Sequence, residues 1–160
     1  MGYTTVFDGA FDIKPKLKEK DKIFLHKFNG SRRVGWKDKG NEFGTDGEWY
    51  TGGGPNPDYN DKGIIDYNNA PSTQPGLWCG WCPGPDGKEL QWDGQEKFYE
   101  YIVWLKYLID NYLAPRGYVL NGTCFWEGEE GEDKGKIIVK NNKVLVAQCK
   151  PVSYEVPEEV

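Results

Sequence analysis

The chain has 160 residues, a formal net charge of −5 at pH 7 and 38% hydrophobic residues. This length suits one domain with a real core, and the hydrophobic content is too high for a disordered chain. The acidic balance disfavours general DNA or RNA binding, because that affinity comes mainly from cations that displace counterions from phosphates. No apolar run approaches the roughly 20 residues of a membrane-spanning helix, so we expect no membrane partner.

Aromatic residues are abundant, with seven Trp, ten Tyr and seven Phe, beside 21 Gly and ten Pro. Each aromatic side chain can bury on the order of 150–250 Å², which compensates for a modest aliphatic content. The Gly and Pro indicate short elements and turns rather than a helical bundle. The N-terminus shows no charged-then-apolar signal peptide, so we expect a cytoplasmic protein. Four cysteines are then expected as thiols: Cys79, Cys82, Cys124 and Cys149.

The first part of the chain predicts a strand, a helix and a loop. Alternation of apolar and polar residues over 4–13 is typical of a strand. Apolar residues then recur at helical spacing from Leu17 to Phe28, and Gly30 closes this helix. Residues 29–62 are polar and rich in glycine, so we predict a mobile loop region there.

The middle of the chain predicts two short strands and a second helix. The strands fall at 49–51 and 77–81, each beside a Gly/Pro turn. Asp93 as N-cap, with Glu96 three residues later, forms a capping-box pattern. An apolar stripe at helical spacing follows over residues 98–113, so we predict one helix that begins at the capping box.

The last part predicts three strands. Apolar residues of one parity over 118–126 indicate a half-buried strand, in which we place Gly122 at a bulge. Residues 137–139 and 144–146 flank two asparagines, a typical hairpin signal. Residues 151–160 look like a tail.

This element order predicts an α+β fold with one domain over residues 1–150. Strands joined by short turns favour antiparallel pairing, and two helices suffice to cover only one side of a sheet. We therefore expect an antiparallel sheet with about two helices packed on one face.

Several segments resemble an uncharacterised protein family of bacteria and tailed phages. They are residues 1–5 (Met-Gly-Tyr-Thr-Thr), 74–79, 92–99, 117–122 (Gly-Tyr-Val-Leu-Asn-Gly) and 126–130 (Trp-Glu-Gly-Glu-Glu). The similarity covers most of the chain outside the predicted loop region. It implies a bacterial or phage-encoded protein, in the host cytoplasm if a phage encodes it, and it assigns no chemistry.

Loop tryptophans and nearby arginines are the candidate ligand-binding residues. They are Trp36, Trp49, Trp78, Trp81, Arg32, Arg33 and Arg116. Exposed aromatics near irregular backbone commonly line a ligand surface, although packing beneath a long loop explains them equally well. The first functional hypothesis is a noncatalytic protein that holds a small polar ligand, nucleotide-like compounds among the candidates. In a phage, such a pocket would sequester a host immune signal.

An acidic run supplies two alternative hypotheses. Its residues are Glu127, Glu129, Glu130, Glu132 and Asp133. It would engage a basic surface of a host protein, as an inhibitor does, or hold a divalent cation for hydrolysis. A solvated hairpin loop is the simplest interpretation of such a charge run.

The sequence shows no complete catalytic set, so we expect a binding protein rather than an enzyme, with no cofactor. Cys79 and Cys82 precede a Pro/Gly turn, whereas redox cysteines sit at a helix N-terminus that lowers their pKa. A zinc site would need a second close pair. His26 is the only histidine, and no nucleophile motif accompanies it.

Overall fold

The structure, a computed structural model, describes residues 2–33, 35–36 and 62–149. Its strands are β1 (Thr5–Lys14), β2 (Gly35–Trp36), β3 (Ile64–Asp66), β4 (Trp81–Pro83), β5 (Glu89–Trp92), β6 (Val119–Gly128), β7 (Lys134–Lys140) and β8 (Lys143–Gln148). Its helices are α1 (Glu19–Asn29) and α2 (Tyr101–Leu108), which continues into a π-helical turn (Ile109–Leu113) and a 3-10 turn (Ala114–Arg116). Six strands form one antiparallel sheet in the order β4-β5-β1-β6-β7-β8, and β2 pairs with β3 separately.

The two sides of the six-stranded sheet differ because side chains alternate along each strand. Phe7 and Phe11 of β1 are buried beneath the helices, whereas Val6 and Asp8 are exposed on the other side. The helices contribute these residues to the same core: Leu25, Phe28, Trp104, Leu105, Leu108, Ile109, Tyr112 and Leu113. The α+β prediction, an antiparallel sheet with two helices on one face, is confirmed. We call the opposite side, where Val6 and Phe125 lie, the open face.

The pairing of β1 with β6 forms the centre of the sheet. All ten residues of β1 face residues of β6 in one unbroken register, from Thr5 opposite Gly128 to Lys14 opposite Val119. Gly122 pairs regularly with Phe11, so the predicted bulge there is wrong although the strand itself is confirmed. The position requires glycine for two other reasons. Its φ is 148°, and a Cβ would stand 2.8 Å from the Ala10 carbonyl oxygen.

The predicted capping box is wrong. Helix α2 begins at Tyr101, after Glu100 in a left-handed conformation. The Asp93 carboxylate instead accepts hydrogen bonds from the Gln95 backbone N–H (2.9 Å) and the Asn29 side-chain amide (2.8 Å). Aspartate competes for backbone donors in turns as well as at helix starts, and here the turn prevails.

The strand predicted at 77–81 is displaced to β4, and β5 was not predicted. Backbone carbonyls at Leu77 and Cys79 accept hydrogen bonds from Arg33 (2.8 Å) and Asn29 (2.7 Å), so this segment bonds to the end of α1 rather than to the sheet. The predicted β7-β8 hairpin is confirmed.

Within the predicted loop region, β2 pairs with β3, which follows that region. The strand at 49–51 and the tail at 151–160 lie outside the described residues. No helix in the described part of the chain combines the length and apolarity needed to cross a bilayer.

We expect Gly122→Ala to lower the free energy of unfolding by about 2–3 kcal/mol, because alanine would meet the β1 backbone at an unfavourable φ. Chemical denaturation measures this change. Gly131→Ala is the matched control, since no atom lies within 4 Å of its added Cβ. Equal stability of the two variants would contradict the assigned register.

Candidate functional site

Arg32 lies near two aromatic rings, just beyond the end of α1. Its guanidinium carbon is 4.2 Å from the centre of the Tyr67 ring and 5.9 Å from that of Trp78. Its Nε also donates a hydrogen bond to the Tyr67 carbonyl oxygen at 3.0 Å. We call Arg32, Tyr67 and Trp78 the arginine site.

Three chain segments converge to build the arginine site. Gly30 ends α1, and the Arg33 backbone N–H then bonds to the Leu77 carbonyl, which brings Arg32 beside Trp78. Tyr67 follows β3, in a turn that Asp66 organises. The Asp66 carboxylate accepts hydrogen bonds from the Asn68 and Asn69 backbone and from the Asn69 side chain at 2.9–3.2 Å.

The hydrogen bonds in this turn also stabilise the charged form of the Asp66 carboxyl group. The Asn69 side-chain hydrogen bond, followed by the backbone bond from Asn68, lowers the pKa of Asp66. The carboxylate therefore stays ionised at neutral pH and keeps accepting the bonds that position Tyr67.

The arginine site is suited to binding an oxyanion. Arg32 makes no hydrogen bond through its two terminal nitrogens with any described residue. A guanidinium that packs against the Tyr67 ring and whose Nε is hydrogen-bonded presents its terminal nitrogens as a planar fork, which matches carboxylate or phosphate oxygens. The half-buried Trp78 ring offers an apolar surface beside the fork.

Arg33 points the opposite way from its neighbour. It is fully buried, its guanidinium lies 4.3 Å from the Phe28 ring centre, and Nη2 donates to the Ser31 carbonyl at 2.9 Å. The structure therefore places Arg33 in the interior, against Phe28.

Trp81 also lies in the core. It is 1% exposed, its ring packs edge-on against Phe11 and Phe98, and its Nε1 donates to the Tyr101 carbonyl at 2.8 Å. A surface ligand does not reach this ring. The Trp36 side chain and all of Trp49 fall outside the described residues, so their roles stay predictions.

Arg116 belongs to a separate cluster around the buried Asp21 carboxylate. Tyr112 and Tyr118 donate hydrogen bonds to that carboxylate at 2.7 and 2.5 Å. The Arg116 Nε lies 4.0 Å from the same carboxylate, and its guanidinium stacks 3.7 Å from the Tyr112 ring centre. These contacts tie the first turn of α1 to the helical turns and the segment before β6, whereas the arginine site lies beyond the other end of α1.

Two side chains of the acidic run accept hydrogen bonds from other parts of the chain. The Asp133 carboxylate accepts hydrogen bonds from Tyr3 (2.7 Å) and the Trp126 indole (3.0 Å). Glu129 accepts one from the Thr4 backbone at 2.6 Å. The remaining three acids are exposed: Glu127, Glu130 and Glu132. Partner binding by this loop stays a prediction.

The cysteines are free thiols, and three of them are buried. Burial raises the pKa of Cys79 to about 12 and that of Cys82 to about 11, so neither is a reactive thiolate at neutral pH. His26 is exposed on α1, as a surface histidine would be. Among the residues that the structure describes, no three His, Cys, Asp or Glu side chains are arranged to hold a metal ion.

Comparisons with protein-family models, with curated proteins and with solved structures find no match to this chain. The function of the arginine site is therefore inferred from its geometry alone. Of the predicted ligand-binding residues, the structure brings together Arg32 and Trp78 and adds Tyr67, which the sequence reasoning missed. The signal for Tyr67 was the Asp66-Tyr67-Asn68-Asn69 pattern, which is typical of a side-chain-stabilised turn.

We expect the Asp21 cluster to make stability pH-dependent. Burial by itself raises the pKa of Asp21, but the Tyr118 and Tyr112 hydrogen bonds and the charges of Lys20 and Arg116 outweigh it, so the pKa is lowered below 3.8. A carboxyl with a lowered folded-state pKa stabilises the fold above about pH 4, and the stabilisation is lost as pH falls through that folded-state pKa.

Denaturation midpoints between about pH 2 and pH 5 measure this effect, and Asp21→Asn is expected to flatten the profile. Asp110→Asn removes the same charge from an exposed position and serves as the control. A profile for Asp21→Asn as steep as that of the parent protein would rule out this cluster as the source.

Proposed function

We propose that this protein is a noncatalytic binding protein that holds a small anionic ligand at the arginine site. The observation that carries the proposal is the Arg32 guanidinium, held against the Tyr67 ring and near the Trp78 ring, with its terminal nitrogens available. A ligand with a phosphate or carboxylate group and a flat ring would use both the fork and an aromatic surface. Nucleotide-like compounds have this combination.

The Arg32 side chain is held in place before a ligand binds, and this favours a higher affinity for the ligand. An arginine side chain loses up to about 2 kcal/mol of conformational entropy when it is immobilised. Stacking and the Nε hydrogen bond have already removed part of that freedom in the unliganded protein. More of the charge-assisted hydrogen-bond energy, about 1.5–3 kcal/mol per bond, is then available to the ligand.

The test is calorimetric titration with inorganic phosphate, nucleoside monophosphates and the corresponding nucleosides. We expect phosphorylated compounds to bind and Arg32→Ala to weaken their binding by about 10- to 100-fold, the equivalent of one charge-assisted hydrogen bond. Arg32→Lys should lose most of this affinity as well, because lysine keeps the charge without the planar fork.

Lys106→Ala is the matched control, since it removes one positive charge from an exposed position of α2. It should leave the affinity unchanged. If none of the phosphorylated compounds binds, or if the Arg32 and Lys106 variants behave alike, the arginine site is not the ligand site. Circular dichroism of each variant establishes that the fold is retained.

A further inference from the structure

The open face carries large apolar side chains that the described fold leaves uncovered. Val6 on β1 and Phe125 on β6 are each 54% exposed, and Leu145 on β8 is 48% exposed. A cavity of about 560 Å³ lies on this part of the sheet, and Val6, Phe125 and Ala147 are among the residues that line it. Exposed apolar area of this kind commonly marks an interaction surface.

Charge is divided across the open face. The β1 and β5 side carries Asp8, Asp12 and Glu89, with Lys14 at the far end of β1. The β7 and β8 side carries four lysines: Lys134, Lys136, Lys140 and Lys143. The strand between the two sides, β6, places Phe125 directly between Asp8 of β1 and Lys136 of β7.

We propose that the open face is the interface with a second copy of this chain. A twofold axis that runs along β6, in the plane of contact, would lay β1 and β5 of one copy over β7 and β8 of the other. The acidic side of each copy then faces the basic side of the other copy. A single twofold rotation therefore creates both of these favourable charge contacts.

The strand registers predict which residues meet across this interface. Asp8 and Lys136 lie in one row of the sheet at equal distances from β6, so each Asp8 faces Lys136 of the second copy. Phe125 lies on the axis and meets its own symmetry mate. Glu127, also on β6, lies directly opposite Lys134 of β7 in the same copy.

The area is sufficient for a reversible dimer. Five strands spaced about 4.8 Å apart and about eight residues long cover a projected area on the order of 600 Å². This figure leaves out the additional surface of the protruding side chains. Stable interfaces bury about 800 Å² per partner. Sheets pack face to face about 10 Å apart with strands within about 30° of each other, which leaves room for the rings and lysines. We therefore expect a dimer of moderate, salt-dependent affinity.

Sedimentation velocity over a range of protein and salt concentrations tests the proposal. A dimer should form as protein concentration rises, and its affinity should fall about 10-fold or more between 50 and 500 mM salt. Phe125→Lys should abolish the dimer without unfolding the protein, because this side chain is already exposed. A protein that is monomeric throughout overturns the proposal and leaves the face to a different partner.

A charge exchange distinguishes face-to-face contact from other dimers. Asp8→Lys and Lys136→Asp should each weaken the dimer, since each creates two like-charge contacts, and the double variant should restore it. Val146→Lys is the control for pairing through the free edge of β8, where Val146 is 48% exposed and faces away from the open face. Loss of the dimer in this control, with no effect of Phe125→Lys, would also overturn the proposal.

Discussion

The unbroken pairing of β1 with β6 is the constraint on which the rest of the structure depends. Because side chains alternate, this one register decides which residues of both strands go to the helices and which to solvent. It buries Phe7 and Phe11 with Trp126, and it exposes Val6 and Phe125 together. A slip of one residue would exchange the two sets, so the core and the open face are specified by the same pairing.

The arginine site depends on the core by a different route. Arg32 and Arg33 are neighbours in the chain, but one guanidinium is stacked at the surface and the other is enclosed above Phe28. The backbone bond from Arg33 to Leu77 holds both the buried arginine and the Trp78 segment in place. The interior thus fixes the position of the surface arginine, and a binding protein needs such rigidity more than it needs a reactive group.

The sequence predicted what local periodicity encodes and missed what distant segments decide together. The alternation of apolar and polar residues predicted β1, β6 and the β7-β8 hairpin, because residues two apart in a strand lie on the same face of the sheet. The helix start at Asp93 was wrong because the same carboxylate also suits a turn, in which it accepts hydrogen bonds from the Gln95 backbone and from Asn29, distant in the chain. The burial of Trp81 and the contact of Tyr67 with Arg32 were likewise not predictable, since burial and ring contacts depend on partners from other segments. The charge division of the open face emerges only once the strand order is known.

The position of β1 also governs how the chain folds. This strand lies in the middle of the sheet, yet its partner β6 is more than one hundred residues away in the chain. During synthesis β1 leaves the ribosome before β5 and β6, so it has no neighbouring strand in the sheet until they emerge. Such distant pairing slows folding and leaves the apolar side of β1 unprotected meanwhile. The central pairing of the sheet therefore forms only after β6 has emerged, although β5 can pair with β1 before that.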